Sequence, residues 1–302
     1  MSVGTIATGN RSKRRTVFPW PNGLLLLLPL ATILIIFFIY PLLSMLWASF
    51  HASDPVELID WKVFTFRHYA KFFGDSYYRG ILYSSLRLSL ITTVVCLVIG
   101  YPVAYTLSGI NRRVQAYLLL LLISPLLVSL VIRTYAWTII LSPNGLVNAF
   151  LLQLGLIKTP LRLLWTETAV VIGLTHIYLA YMLLPIVSSL TSIDPSMVRA
   201  AMNLGANEWK AFRLVTLPLS VPGILAGVTL VFILTMSAFV TPTLLGGVRV
   251  KTLASTAYEQ TIAFLQWPFG AAISFVLLLV TGLLVVIYQK VLERREWEAS
   301  AQ

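Results

Sequence analysis

Charge is scarce in this sequence: only 11% of its 302 residues are Asp, Glu, Lys or Arg, against roughly a quarter in soluble domains. That excludes an ordinary soluble enzyme. The hydrophobic share is 58% and the mean hydropathy of +0.86 is spread along the chain, which excludes both disorder and a soluble domain with one anchor. A single cysteine, Cys96, lies in an apolar run, so no intrachain disulfide can form and the thiol reads as a small buried hydrophobe. No G-x-x-x-x-G-K-[ST] segment is present, since Lys251-Thr252 follows Val250 rather than glycine, and a nucleotide-hydrolysing site in this chain is excluded. The three histidines, His51, His68 and His176, are scattered and form no H-x-x-x-H pair, so no metal site is predicted. The long apolar runs contain no Asp or Glu, which argues against a carrier driven by an ion gradient. No convergent set of nucleophile, base and ligands supports a membrane enzyme.

What is present is apolar length. Six runs of about 20 residues, enough to cross a hydrocarbon core, lie near 23–50, 85–108, 117–141, 168–190, 218–242 and 269–288. The predicted fold class is therefore an all-α membrane protein with six transmembrane helices. The first run follows Arg11, Lys13, Arg14 and Arg15 like a secretory signal, but it is too long for a cleaved one and reads as a retained first helix. Prolines interrupt several runs, at Pro29, Pro41, Pro102, Pro125 and Pro185, so neighbouring helices must compensate for missing backbone hydrogen bonds.

The net charge of +11 carries no aromatic-interleaved basic run or nucleic-acid motif, so no nucleic-acid partner is expected. Its distribution suits a membrane topology with lipid as the surrounding partner. With the N-terminus inside, segments 1–22, 109–116, 191–217 and 289–302 hold twelve Lys and Arg, against eight in the longer outer segments. Residues 1–22 are then a cytoplasmic segment, 23–288 a transmembrane domain and 289–302 a cytoplasmic tail containing Lys290, Arg294 and Arg295.

Segment 191–223 is too polar to span and too patterned to be an idle loop. Asp194-Pro195 is a helix start, with Asp as cap and Pro in the first helical position. Met197, Ala200, Ala201 and Leu204 make one apolar stripe, and Gly205 supplies a left-handed exit. Asn207 caps a second short helix through Arg213 with Glu208 in its first turn, and Pro218 and Pro222 are expected to stop it and open the fifth span. A helix-turn-helix at the membrane surface is predicted, with an interfacial linker as the plain alternative.

The spacing closely resembles the signature loop of permease subunits of binding-protein-dependent ATP-binding-cassette importers: Glu-Ala-Ala, three residues, Gly, nine residues, Ile, one residue, Leu-Pro. Ala200, Ala201, Gly205, Val215, Leu217 and Pro218 fall on its positions, Pro222-Gly223 continues it, and Arg199 replaces its glutamate. The stretches Arg133-Thr134-Tyr135-Ala136-Trp137, Asn144-Gly145-Leu146-Val147-Asn148 and Pro242-Thr243-Leu244-Leu245-Gly246-Gly247 look like the first permease subunit of spermidine/putrescine-type importers.

The resemblance implies the type I importer permease fold in a bacterial inner membrane, with both termini cytoplasmic. It implies a non-catalytic transport subunit whose coupling loop, 191–218, contacts a partner ATPase dimer through Arg199, Ala200, Ala201, Gly205, Leu217 and Pro218. ATP would be bound by that partner, with no cofactor in this chain, and a second permease and an extracytoplasmic solute-binding protein would complete the machine. The implied substrate is a polyamine, the alternative an opine, phosphonate or amino-acid type solute. Candidate passage-lining residues are Arg133, Tyr135, Trp137, His176 and Tyr181, beside Tyr178. For His176 a helix–helix hydrogen bond competes with that role, and for Arg87 and Arg133 snorkelling to water does. Glu167 and Glu259 stand near the outer edge as acids that could meet a polycation.

Overall fold

A computed structural model describes residues 28–54 and 56–300. The predicted 1–22 segment with its basic cluster, and residues 23–27 of the first span, lie outside the described residues. The first helix, α1, is Leu28–Ser49. Within it a π-turn at Ile35–Ile39 ends at Tyr40, just before Pro41, where the wider ring suits a proline that cannot donate a backbone hydrogen bond. Phe37, Phe38 and Tyr40 on α1 are all exposed, as side chains facing lipid tails can be.

From Ala48 onward the chain forms one compact unit. A short antiparallel hairpin pairs β1, His51–Ala52, with β2, Asp60–Phe64. It leads to α2, Arg67–Gly74, and, after Asp75, to α3, Ser76–Ser108. Asp75 caps α3 by accepting from the Tyr77 amide at 2.9 Å, so this helix begins nine residues before the expected 85. A polar, capped first turn has low hydropathy and is invisible to a search for apolar runs.

The third span is not one helix over 117–141. It divides into α4, Arg112–Ile123, a 3₁₀ turn at Ser124–Leu127 containing Pro125, and α5, Leu130–Ile140, bent by 92°. Proline opens the turn, and extended Val128 and Ser129 complete the reversal of direction. Helix α6, Leu146–Gln153, follows, then α7, Glu167–Ser192, capped by Thr166.

Beyond α7 come α8, Pro195–Asn203, and α9, Glu208–Met236. The expectation that Pro218 and Pro222 terminate a helix near Arg213 is corrected: α9 runs on through a π-turn at Phe212–Thr216. The π-turn absorbs a register that Pro218 would otherwise break, since its missing N–H falls where the i→i−4 ladder is already interrupted. Helix α9 ends at Met236, short of the expected 242, and Pro242–Gly246 forms a separate π-turn. Helices α10, Leu253–Tyr258, and α11, Trp267–Ser300, close the chain, so the predicted 289–302 tail continues the last span as helix to Ser300. Among the described residues, five helices are long and apolar enough to cross a membrane, and the bent α4–α5 pair makes up to six.

The core is the α3–α7–α9 bundle, with Leu88, Cys96, Leu174, Met182, Leu183, Ile186 and Val231 essentially sealed. Its closest contact is set by Gly223 and Gly227. A Cβ on Gly227 would lie 2.9 Å from the Met182 carbonyl oxygen, and one on Gly223 2.6 Å from that of Pro185. Small residues four apart let two membrane helices approach through their backbones.

Candidate functional site

Two regions carry the sequence-selected residues, and α7 joins them. At mid-bundle, α5 lies against α7, and the Trp137 indole Nε1 donates to His176 Nδ1 at 3.2 Å with the rings edge to face at 5.6 Å. Indole nitrogen only donates, so His176 Nδ1 is unprotonated in this contact. Arg133, one turn earlier on α5, is within electrostatic range of both His176 and Tyr178. Its Nε and Nη1 are buried without a hydrogen-bond partner among the described residues. Tyr178 and Tyr181 lie edge to face at 6.2 Å on α7, and Thr134 shares a 3.1 Å hydroxyl contact with Thr241. The structure thus brings Arg133, Trp137, His176 and Tyr181 into one neighbourhood, while Tyr135 is 61% exposed on another face of α5.

Packing buries most of α7, yet His176, Leu184 and Ser188 stay uncovered and Tyr181 half-covered. They are spread over about 18 Å of one side of α7 between His176 and Ser188, with buried Ile177, Ala180 and Val187 among them. Ser188 lines a cavity of about 890 Å³ whose wall also includes Tyr105, Arg112, Gln115, Thr191 and Arg199. The Gln115 side-chain nitrogen is buried there without a partner among the described residues. Ser188 and Thr191 were missed by sequence reasoning, because small hydroxyls in an apolar run carry no distinctive signal.

Helix α8 opens as local chemistry dictates. The Asp194 side chain accepts from the Ser196 amide at 2.8 Å, with Pro195 in the first turn. Those Ser196 hydrogen bonds, and then the Arg199 charge, hold the Asp194 carboxyl below its ordinary range. Gly205 takes φ +86°, and the Ala206 amide donates to the Ala201 carbonyl at 3.1 Å, closing the helix end. Asn207 then caps α9 by accepting from the Lys210 amide at 2.8 Å.

No residue of α8 is buried. Leu204 is 90% exposed, and Met197, Ala200, Trp209, Leu214 and Pro218 are exposed as well, while Ala201 and Leu217 are half-covered. One side chain ties this hairpin to the bundle: Phe212 packs on Tyr105 at 5.3 Å, on Tyr101 at 6.0 Å and on Trp209 at 5.5 Å. Tyr101 in turn shares a 3.0 Å hydroxyl contact with Ser220. Sequence reasoning missed this anchor, since an aromatic three positions before the motif's Val215 has no local cue.

Two ion pairs lie toward the opposite end of the bundle. Arg87 meets Glu167 at 3.4 Å while its side chain stays more than half exposed. Lys251 binds Glu259 directly. Both acids expected near the outer edge are therefore engaged by cations within the chain.

Residues 97–298 match the family described as binding-protein-dependent transport system inner membrane component, and the chain belongs to that family. It is a non-catalytic membrane permease of a binding-protein-dependent importer. It is 38% identical over 255 residues to the spermidine/putrescine transport system permease protein PotB of Escherichia coli (strain K12), a match covering 84% of this chain and 92% of that one. The protein of the same name from Haemophilus influenzae is 35% identical, covering 85% and 89%. In fold it is similar to a chain of a bacterial ABC transporter involved in import of the acidic polysaccharide alginate, with a TM-score of 0.71 over 91% of this chain and 96% of that one at 16% identity.

Proposed function

We propose that this chain forms one side of the passage of a polyamine importer, with its α8 hairpin seated on a partner ATPase. The carrying observation is the series of uncovered side chains on α7, from His176 beside Trp137 to Ser188 at the cavity beside α8. Openings of that kind, inside a span otherwise packed, suit a solute path completed by a second permease. The exposed apolar side chains of α8 suit burial by another protein, since an isolated surface helix gains nothing by showing Met197 and Leu204 to water. The basic-residue bias puts that hairpin in the cytoplasm, where ATP hydrolysis by a partner would drive its movement. A solute-binding protein would deliver substrate at the other end.

The substrate class follows from the relatives named for spermidine and putrescine. With Glu167 and Glu259 already paired, a polycation would be met by the half-covered rings of Trp137 and Tyr181 through cation–π attraction. Arg133, with two buried nitrogens lacking partners, favours a second reading: an anionic solute of the opine, phosphonate or amino-acid type.

The test is uptake by the permease reconstituted with its second permease, ATPase and binding protein. Labelled spermidine and putrescine should be taken up, and Trp137→Ala should lower the efficiency of uptake by roughly 2- to 30-fold, the range of one cation–π contact. Competition by anionic solutes but by neither polyamine would transfer the assignment to the second reading. Unchanged transport in both Trp137→Ala and His176→Ala would place the passage elsewhere.

A further inference from the structure

At the end of the bundle far from α8, the β1–β2 hairpin, α2 and the start of α11 enclose a cavity of about 320 Å³. Ser53, Thr65, Arg67, His68, Lys71 and Gln266 line it, and no carboxylate does. Its walls are nearly all hydrogen-bond donors, and three of them can carry positive charge. Neither Arg67 nor Lys71 has an ion-pair partner among the described residues. Lys71 Nζ instead stands 4.4 Å above the centroid of the buried Phe269 ring and 5.8 Å from that of Tyr78, which fixes the ammonium without neutralising it. His68 is 9% exposed and its Nε2 is 2.9 Å from the His51 carbonyl oxygen. Burial, and then the charges of Lys71 and Arg67, hold its imidazole below the ordinary range, and the His51 contact opposes them. Concentrated positive charge without an internal counter-ion is the chemistry of an anion site.

The depth of the cavity says which anion. Only Asp75 separates α2 from α3, and Gln266 directly precedes α11, so the cavity lies where two spans begin. The apolar run of α11 opens at Phe269, three residues beyond Gln266, a position that suits the headgroup layer. Around the cavity Trp61, Phe64, Phe66 and Trp267 are all at least 43% exposed, the aromatic surface expected at a membrane interface. The volume falls within the range of small-ligand cavities, roughly 300–1,000 Å³.

We propose that this cavity binds the phosphodiester of an anionic phospholipid headgroup. Arg67 and Lys71 take the phosphate oxygens, Gln266 and the Ser53 and Thr65 hydroxyls bond the glycerol headgroup, and the acyl chains lie along the exposed aromatics. The proposal is independent of what solute is carried.

The test uses the assembled transporter in detergent, read by native mass spectrometry with added phosphatidylglycerol, phosphatidylcholine or inorganic phosphate. Wild type should hold phosphatidylglycerol in preference to phosphatidylcholine. Arg67→Gln and Lys71→Gln should each weaken that retention about fivefold, the effect of one cation near a lipid surface, and the double variant should multiply the losses. Arg67→Lys with Lys71→Arg should retain the lipid, and thermal melting checks that each variant is folded. Equal retention by folded Arg67→Gln/Lys71→Gln overturns the proposal. So does full displacement by inorganic phosphate, which would make the cavity a free-phosphate site. Weakened capture of the solute-binding protein with lipid retention intact would also overturn it, in favour of an acidic protein contact. Spermidine uptake, measured in parallel, tests the passage separately.

Discussion

Helices α7 and α8 are separated by Ile193 and Asp194 and are opposites in packing. Along α7, Val170, Leu174, Met182, Leu183 and Ile186 are sealed against α3, α9 and the 242–246 turn. Nothing along α8 is buried, although Met197 and Leu204 are apolar. The first helix is held by its own chain, and the second keeps its apolar side chains for a surface that the chain does not supply. On the proposed function, stability and coupling therefore reside in different residues, and substitutions should separate them.

The sharpest break lies in the packed region. Gly227→Leu would force a side chain into the Met182 backbone, where overpacking costs about 1–3 kcal/mol and more when no flexible neighbour can move. The expected outcome is loss of most folded permease from the membrane, read by detergent-solubilised melting and by yield. A variant that melts like wild type would show that α7 and α9 are not locked at this contact.

On the hairpin the same measurement should report little. Leu204→Glu alters a side chain that is 90% exposed, so its effect on melting should stay within about 0.5 kcal/mol. Co-purification of the ATPase and solute-stimulated ATP hydrolysis should instead fall by about tenfold or more, because a charge is placed in a surface that the partner must desolvate. Equal loss of melting and coupling would erase the distinction between the two helices.

Phe212 sits between the regimes, since its ring connects the hairpin to Tyr101 and Tyr105. Phe212→Ala should lower stability by about 1–2 kcal/mol, less than full core truncation because the ring is half-covered. ATPase binding should persist while transport per ATP hydrolysed falls, as the hairpin moves without carrying α3 with it. Phe212→Tyr should restore transport.

Legibility in the sequence follows range. The hairpin was readable because its determinants are local: Asp194 caps through an amide two residues on, and Gly205 at φ +86° occupies a conformation that penalises other residues. Six apolar runs were readable for the same reason. The 92° break after α4 was not, because hydropathy registers length and not direction, and Pro125 alone does not distinguish a kink from a reversal. Continuity through Pro218 and Pro222 depends on a π-turn that no residue type announces. The pairing of Arg87 with Glu167 and the convergence of Arg133, Trp137 and His176 join distant segments, so composition could nominate those residues but not assemble them.

The smallest effect expected tests whether the hairpin is even locally self-sufficient. The Asp194 carboxyl is held below its ordinary value of 3.8, first by the Ser196 backbone hydrogen bond, then by the Ser196 side chain and Arg199. A depressed carboxyl stabilises the folded form when ionised, so the contribution is complete above the unfolded value and is lost as pH falls from there through the lower folded value. Hydrogen exchange of the amides at 196–198, corrected for intrinsic rates, should therefore show weaker protection at pH 3 than at pH 6. Asp194→Asn keeps a capping oxygen without the titration and should flatten that dependence, while core amides of α7 stay unchanged across the range. A pH response of the same size in α7 would mean that α8 does not open alone, and that its exposed residues are coupled to the bundle even without a partner.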